Sequence, residues 1–253
     1  MSFYASRSGQ QARELDPWDG ILLVDKPAGV TSHDVVDRIR RTFLIRKVGH
    51  GGTLDPMATG LLIMLLGRGT RLSNAVMGQD KTYEGTMHLG ITTDSEDVDG
   101  AVTGTADFTG VTRAALEAEM KKWLGDIQQI PPMVSAIKKD GVPLYKLARK
   151  GQEIVREPRW LHIFEFTLLD FAPPQASFRL RCSKGTYVRT LCADIGRALG
   201  CGAHLAKLRR TQSGNFNIAD ALTLPTLLAL KPDDILPHII PAHEVRDLTT
   251  RAP

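Results

Sequence analysis

The chain has few cysteines, few aromatic residues and no long apolar run, and these scarcities exclude several classes of protein. Cys182, Cys192 and Cys201 are its three cysteines; they are odd in number and form no CxxC pair, which excludes a disulfide framework. No stretch is both long and apolar enough to be a transmembrane helix, so we expect no membrane role. Residues 1–19 are polar and unlike a secretory signal, and they predict a frayed N-terminal tail on a cytoplasmic protein.

The composition that remains is that of an ordinary globular protein. The 253 residues are 42% hydrophobic and 24% charged, which is enough to build a substantial core in one large domain or two small ones. No internal repeat interrupts residues 20–253, so we expect one continuous fold. The net charge of +4 and the isoelectric point near 9.0 are compatible with a polyanionic partner but do not establish one.

Several known motifs are also missing. GHGGTLD lacks the Gly-Lys-Ser/Thr ending of a phosphate-binding loop, and GRGTRL lacks the third glycine of a dinucleotide fingerprint. The twelve-residue segment that begins with SEDVDG has Ser95 and Ala106 where a calcium loop places its first and last ligands. The seven histidines show no HExxH spacing, and no G-x-S-x-G elbow is present. We therefore predict neither a metal site nor a serine hydrolase.

Hydrophobic periodicity predicts helices and strands on both sides of a more polar middle. A short strand near Gly20 leads to a helix that Thr31 and Asp34 begin as a capping box. A second helix is predicted through VTRAALEAEMKKWLGDI. In SFRLRCSKGTYVRTLCADIGRALG the period changes from two to about 3.6, which predicts a strand, a turn and a helix. Side chains at that turn are well placed to meet a ligand.

Residues 128–159 carry seven cations, and we interpret them as the most basic stretch of the chain. Asp140-Gly141 is a turn signal, and residues 143–151 have the pattern of a short helix. Composition alone favours a solvated surface, since most charge runs are surface. The alternative is an inserted lobe that binds a phosphate backbone.

Asp55 has three readings within GHGGTLDP: a turn carboxylate, a helix cap, or a nucleophile held on a rigid loop. Pro56 restricts its backbone, as in many turns, so the residue alone does not decide among them. Arg189 lies at a predicted helix start, where a positive charge opposes the helix dipole. It therefore predicts a carboxylate or phosphate partner.

Five blocks in order resemble the bacterial TruB family of tRNA pseudouridine-55 synthases, from about Gly20 to about Leu224. They are DKPAGVTSHDVV, GHGGTLDPMATGLL, KTYEGTMHLGITTDSEDVDG, QIPPMVSAIKKDGVPLYKLARKGQEIVREPR and SKGTYVRTLCADIGRALGCGAHLAKLRRT. The resemblance implies an α+β fold with a mixed, mostly antiparallel central sheet, flanking helices and an inserted basic thumb at 128–159. It implies isomerisation of a uridine in the T loop of tRNA, without a cofactor.

The resemblance also implies roles for particular residues. Asp55 corresponds to the nucleophile, Tyr83 to the proton acceptor and Arg189 to the partner of the nucleophile. Substrate contacts would come from a larger set of side chains: His50, Tyr187, Leu208, Lys26, Lys138, Lys139, Lys146 and Arg149. tRNA, through its T loop and T stem, is the implied partner. We expect a monomer with no obligate protein partner.

One departure and two alternatives remain open. Bacterial members commonly continue into a C-terminal RNA-binding domain of the PUA type, and the residues after Leu224 are too few for one. An RNA chaperone that refolds tRNA without catalysis would use the same pocket. A carboxylate phosphohydrolase is less consistent, because Met57 stands where its second acidic residue is needed.

Overall fold

The computed structural model describes residues 16–133, 135, 138–139, 142–143 and 154–245. The strands are β1 (Gly20–Lys26), β2 (Val48–His50), β3 (Thr59–Leu66), β4 (Lys81–Leu89), β5 (Ile91–Thr93), β6 (Val102–Thr105), β7 (Gly125–Gln129), β8 (Lys138–Lys139), β9 (Val142–Pro143), β10 (Arg159–Ala172), β11 (Gln175–Cys182), β12 (Ala203–Ser213), β13 (Phe216–Asn217), β14 (Leu222–Thr223) and β15 (Ile240–Pro241). The α-helices are α1 (Ser32–Thr42), α2 (Ser73–Met77), α3 (Arg113–Lys121), α4 (Val188–Ala198), α5 (Leu224–Ala229) and α6 (Pro232–Ile235). A 3-10 helix covers Gly67–Leu72.

Within these residues one 11-stranded sheet organises the fold. Its main order is β14-β1-β3-β12-β4-β11-β10-β7, and β15, β2 and β13 add to β1, β3 and β12. Two of its described pairs, β1 with β14 and β3 with β12, are parallel, and the others are antiparallel. The mixed, mostly antiparallel α+β architecture expected from the sequence is confirmed. β12 lies in the middle, although it comes late in the chain.

Helices cover both faces of the sheet at β1 and β3. The apolar stripe of α1, with Val35, Val36 and Ile39, packs into the larger core together with α4. The opposite face of β1 and β3 packs against Val76 of α2 in a second cluster. Burial of these stripes supplies most of the stabilisation, at about 25 cal/mol per Å² of apolar area.

The predicted capping box at the start of α1 is confirmed. The Thr31 hydroxyl accepts a hydrogen bond from the Asp34 amide at 3.0 Å, and the Asp34 carboxylate accepts one from the Thr31 amide at 2.8 Å. The predicted change of period after Cys182 is confirmed as the end of β11, a turn and α4, with Gly185 at φ +85° in the turn.

The three cysteines are buried free thiols, in agreement with the exclusion of a disulfide framework from their number and spacing. Burial raises the pKa of Cys182 to about 12, and it raises the pKa values of Cys192 and Cys201 as well. No helix of the described residues is long and apolar enough to cross a membrane.

Two element predictions were wrong. The helix predicted through residue 127 ends at Lys121, because Gly125 adopts φ +83° and the chain then continues as β7. Pro143, expected to begin a helix, lies in β9, which pairs with β8 across the predicted turn. The rest of that helix prediction, 144–151, lies outside the described residues.

Candidate active site

The loop between β2 and β3 holds Asp55 at the centre of the sheet. Ser32 of α1 fixes this loop from one side, because its hydroxyl donates to the Leu54 carbonyl at 3.0 Å and accepts from the Leu54 amide at 2.9 Å. The Gly29 amide donates to the Pro56 carbonyl at 2.9 Å, and the Ala58 amide donates to the Asp55 carbonyl at 3.1 Å. Asp55 is thus held by hydrogen bonds on both sides of its own peptide.

The glycines of this loop have a packing function in addition to any role with a ligand. A Cβ at Gly51 would lie 2.4 Å from a methyl carbon of Val76, so only glycine lets the loop cross α2. Gly52 adopts φ +121°, which L side chains rarely tolerate. The structure therefore gives Gly51 a core-packing reason, independent of any ligand.

Arg189 joins two carboxylates from different parts of the chain. Its guanidinium is buried in the first turn of α4, with a side chain only 4% exposed. Nη1 donates to Asp97 Oδ2 at 3.2 Å, and Nε lies 3.9 Å from Asp55 Oδ2. The predicted carboxylate partner of Arg189 is confirmed, and the closer of the two is Asp97, which the sequence analysis did not single out. Asp97 lies within the SEDVDG segment that we had examined only as a calcium loop.

Asp97 is itself held by its own loop. The Ser95 hydroxyl donates to Asp97 Oδ1 at 2.5 Å, and the Asp99 amide donates to the same oxygen at 3.2 Å. The Thr93 hydroxyl donates to the Asp97 carbonyl at 2.7 Å. Asp97 therefore fixes Arg189, and the longer contact leaves Asp55 better able to reach a ligand.

Asp55 combines partial exposure with surroundings that disfavour its charge. Its side chain is 37% exposed, so one side of the carboxylate faces solvent. Burial of its other side raises the pKa of Asp55, and the positive charge of Arg189 opposes that rise. Arg189 acts in the direction expected from the sequence, although burial is the larger effect. A carboxylate that is poorly solvated yet paired with a cation is suited to nucleophilic attack.

Tyr83 on β4 is part of a second buried polar group around Arg210. Burial raises the pKa of Tyr83 to about 12, while the charge of Arg210 and its hydrogen bond to the phenol oppose this. Arg210, 2% exposed, also donates from Nε to the Leu61 carbonyl at 2.7 Å and from Nη2 to the Gly52 carbonyl at 3.1 Å. Arg210 thus links Tyr83 to the loop of Asp55. Its place in KLRRT gave no local signal of this role.

Tyr187 is positioned by a side chain from the far edge of the sheet. The Tyr187 amide donates to Gln129 Oε1 at 2.9 Å, and Gln129 Nε2 donates to the Tyr187 carbonyl at 3.1 Å. Gln129 is only 2% exposed at the end of β7. The Tyr187 ring centroid lies 5.9 Å from Arg189 Cζ, so ring and guanidinium face the same region.

His50 lies at the end of β2, before the Asp55 loop, and Leu208 lies on β12, which pairs with the start of β3 after that loop. Burial and then the charge of Arg210 lower the pKa of His50, which keeps its ring neutral near pH 7. Its Nδ1 is buried without a hydrogen-bond partner among the described residues, and such an atom is normally satisfied by a ligand or water. Leu208 lines a cleft of about 710 Å³ together with Met57 and Asp99.

Lys26 supports the site from within. Its side chain is fully buried, and Nζ donates to the carbonyls of Pro27, Val30 and Pro56 at 3.0, 2.7 and 3.2 Å. Burial lowers the pKa of Lys26 to about 8, against a smaller opposing effect of the Asp55 charge. All three N–H donors of the ammonium group thus bind backbone carbonyls. Lys26 therefore stabilises the Asp55 loop and has no donor left for a phosphate.

The predicted thumb is described only in part. Lys138 and Lys139 form β8, which pairs with β9 in a short hairpin. Lys146 and Arg149 lie outside the described residues. The structure therefore brings Asp55, Arg189, Tyr83, Tyr187, His50, Leu208 and Lys26 to one region of the fold.

Comparison with known proteins gives this arrangement a family. The model described as TruB family pseudouridylate synthase (N terminal domain) matches residues 40–188, and that described as tRNA pseudouridylate synthase B C-terminal domain matches residues 189–244. The chain is 54% identical over 235 residues to tRNA pseudouridine synthase B of Opitutus terrae, covering 93% of this chain and 96% of the relative. For the protein of the same name from Syntrophotalea carbinolica, the identity is 50% over 216 residues, with coverages of 85% and 71%.

Solved structures agree with the sequence comparison. The structure titled Crystal Structure of a Cbf5-Nop10-Gar1 Complex superposes with a TM-score of 0.72 at 30% identity over 92% of this chain. This chain spans only 63% of the length of that one. Together, the matched models, the relatives and the shared fold show that the chain belongs to the TruB family of pseudouridylate synthases and is an isomerase that forms pseudouridine in RNA.

Proposed function

We propose that this chain converts a uridine in the T loop of tRNA to pseudouridine, with Asp55 as the nucleophile. The relatives named tRNA pseudouridine synthase B support the choice of tRNA. The observation that carries the residue assignment is the placement of Asp55, partly exposed in a rigid loop and 3.9 Å from the buried guanidinium of Arg189. A carboxylate in these surroundings can attack a base that has left its stack.

The reaction rearranges one nucleotide and consumes nothing else. The bond between ribose C1′ and base N1 breaks, and a bond between C1′ and C5 forms. The proton on C5 is lost and N1 gains one. Asp55 forms and then breaks a covalent bond to the nucleotide, at base C6 or at ribose C1′, and is regenerated. Because no electron is transferred to another molecule, we propose that no metal or cofactor takes part.

Tyr83 is the proposed acceptor of the C5 proton. A phenol with a pKa of about 12 is protonated in the free enzyme and is then a weak base. Its role as an acceptor therefore requires that the phenol first transfer its own proton to solvent when the base binds. Arg210 favours that loss, because its hydrogen bond and positive charge stabilise a phenolate. We therefore propose that Arg210 stabilises the phenolate form of Tyr83.

Access to the base requires it to leave the RNA stack, at a cost of a few kcal/mol. We propose that Tyr187 stacks on the flipped base, that Leu208 forms the pocket floor, and that His50 fills the space left in the loop. The orphaned Nδ1 of His50 supports this assignment, since an RNA base could satisfy it. The 128–159 thumb, with Lys138, Lys139, Lys146 and Arg149, would bind the T-arm backbone, and the enzyme would act as a cytoplasmic monomer.

The direct test is pseudouridine quantification in tRNA after incubation with Asp55→Asn, which keeps the shape of the side chain and removes its charge. We expect no detectable conversion, while Asp170→Asn, at an exposed carboxylate, should retain the wild-type rate. Normal turnover by Asp55→Asn would refute the assignment. If Asp55→Asn still accelerates tRNA folding, the chaperone role coexists with catalysis.

A further inference from the structure

The first turn of α4 carries Arg189 but holds nothing of its own that offsets this charge. Tyr187, which precedes the helix, makes no capping hydrogen bond from its side chain, and no acidic residue lies in the first turn. A cation at the N-terminus of a helix is repelled by the helix dipole. The negative charge that offsets this repulsion must therefore come from another part of the fold.

The SEDVDG segment, residues 95–100, supplies that charge through two consecutive side chains. Asp97 Oδ2 accepts a hydrogen bond from Arg189 Nη1 at 3.2 Å. Glu96 Oε2 accepts one from the Thr190 hydroxyl at 2.5 Å. Two neighbours in the loop thus contact two neighbours in the helix. Arg189 and Thr190 are only 4% and 5% exposed, so both contacts are shielded from water.

Glu96 reaches Thr190 from a backbone conformation that L residues rarely adopt. Its φ is +65°, in the left-handed region. β12 fixes the loop in this conformation, because the Leu205 amide donates to the Glu96 carbonyl and the Val98 amide donates to the Leu205 carbonyl, each at 3.0 Å. Residues held in this region cluster at functional sites, where the surrounding structure maintains them. The unusual backbone here places the Glu96 carboxylate against α4.

Glu96 also interacts with the charge of Arg189. Burial raises the pKa of Glu96, while the Thr190 hydrogen bond and the positive charge of Arg189 oppose this rise. Asp97 and Asp55 pair with the same guanidinium, at 3.2 and 3.9 Å. Three carboxylates therefore act on one buried cation, and Glu96 is the one that also binds the helix turn.

The hollows that Glu96 lines are separate from the proposed nucleophile. They have volumes of about 480 and 390 Å³, and Arg197 of α4 borders both of them. Among the described residues, Asp55 and Tyr83 line neither hollow. We therefore expect Glu96 to act on the reaction through α4 and not through contact with the uridine.

We propose that Glu96 is a positioning residue for Arg189. By binding Thr190 it fixes the first turn of α4, and with it the place of the guanidinium relative to Asp55. Asp97 holds the side chain of Arg189, whereas Glu96 holds the helix turn from which that side chain extends. The inference rests on the proposed function, because it takes Asp55 as the nucleophile.

The main test is Glu96→Asn. Asparagine suits the left-handed backbone and is one methylene too short to reach Thr190, so this change removes the contact without straining the loop. We expect kcat for pseudouridine formation to fall about tenfold, because a small displacement of a positioned group lowers the rate, while KM for tRNA keeps its wild-type value. Glu96→Gln retains an oxygen acceptor at the same reach and should recover most of the rate.

Two further variants accompany this test. Thr190→Val removes the donor from the other side of the contact and should give the same loss of kcat, so the proposal stays testable if Glu96→Asn does not fold. The combined variant should be no slower than either single one, because the same hydrogen bond is absent from all three. The matched control is Glu117→Asn, at an exposed carboxylate of α3 that pairs with Arg113, which should keep the wild-type kcat.

A double-mutant cycle with Arg189→Lys distinguishes positioning of the guanidinium from a general loosening of the fold. Arg189→Lys leaves no planar fork to position, so in that background Glu96→Asn should lower kcat by no more than about twofold. A loss of the same factor in both backgrounds would show that Glu96 acts independently of Arg189, and it would overturn the proposal.

Wild-type kcat in Glu96→Asn and Thr190→Val would also overturn the proposal, as would a rise of KM without a loss of kcat, or no recovery in Glu96→Gln. Failure of the proposed function would look different. In that case Asp55→Asn would turn over normally, or the wild-type chain would form no pseudouridine in tRNA.

Discussion

At the scale of single residues, one guanidinium serves two carboxylates with different tasks. Asp97 is held by its own loop and binds Arg189 at 3.2 Å, while Asp55 stays at 3.9 Å and faces solvent. Because Asp97 remains paired with Arg189, the buried guanidinium would not be left without a partner if Asp55 formed a bond to a ligand, as we propose. The planar fork of an arginine fixes the directions of its donors toward the two carboxylates, whereas the donors of a lysine ammonium rotate freely on a compact group.

Arg189→Lys tests that geometry. A lysine ammonium is a point charge and would settle on one carboxylate, so we expect a rate loss of about 10²-fold with little change in tRNA affinity. Single-turnover pseudouridine formation at saturating enzyme measures the rate. Arg197→Lys, on the exposed side of the same helix and paired with Asp194, is the matched control. Equal rates for Arg189→Lys and wild type would show that the shared guanidinium is not needed.

We expect Lys26 to make the activity sensitive to alkaline pH. Because burial lowers its pKa to about 8, the ammonium is charged below that pH and loses a proton as the pH rises through it. The neutral amine would lack one of the three donors that tether Pro27, Val30 and Pro56. We expect the rate to fall above about pH 8, as measured by a pH–rate profile.

The comparison variant for this profile is Lys26→Met, which cannot titrate. It should be slower at every pH, because the tether is gone, and it should lack the decline that wild type shows near pH 8. A decline of the same size in both proteins would assign the alkaline change to another group.

At the scale of elements, the turn between β11 and α4 depends on β7, more than fifty residues earlier. Gln129 both accepts from and donates to the backbone of Tyr187, and this pairing sets the direction in which α4 begins. Arg189 follows two residues later. β7 therefore helps to direct the Arg189 guanidinium toward Asp55.

Gln129→Glu removes the hydrogen bond that Gln129 donates and keeps the one that it accepts. A carboxylate can still accept from the Tyr187 amide but cannot donate to its carbonyl, so a buried acceptor loses its partner. We expect destabilisation of about 2 kcal/mol in urea unfolding and a reduced kcat. Gln128→Glu, the exposed neighbour on β7, should change neither. If Gln129→Glu is as stable and active as wild type, the pairing with Tyr187 does not control α4.

The structural features that could be predicted from the sequence are those that depend on residues close together in the chain. The Thr31–Asp34 capping box and the change of period into α4 are local patterns, and both are confirmed. The contact between Asp97 and Arg189 joins residues 92 apart, and that of Arg210 with Gly52 spans 158, so no local pattern announces them. The end of α3 was missed because the apolar spacing continues past Gly125, where the backbone turns instead.

At the scale of the whole molecule, the sheet does not follow the division between the two matched family models. That division falls at 188/189, between Tyr187 and Arg189 at the start of α4. β12, which lies beyond it, is inserted between β3 and β4 and supplies Leu208 and Arg210. The proposed active site therefore contains all of its residues only when both parts share one sheet.

This topology predicts a single cooperative unfolding transition. Trp18, Trp123 and Trp160 report on different regions, and their fluorescence should change in urea at the same midpoint as the far-UV circular dichroism. A fragment of residues 16–188 should not fold, because it lacks the strand between β3 and β4. Separate midpoints, or a folded fragment, would indicate two independent units.

Because all three native thiols are buried, we expect the unaltered chain not to react with thiol-specific reagents. Maleimide reagents need an accessible thiolate, and Cys182, Cys192 and Cys201 are enclosed and protonated. A single cysteine introduced at Thr42, an exposed position at the end of α1, would consequently be the preferred attachment point for a fluorophore. Paired with a dye on the RNA, it would report the approach of substrate as a change in the distance between the two dyes.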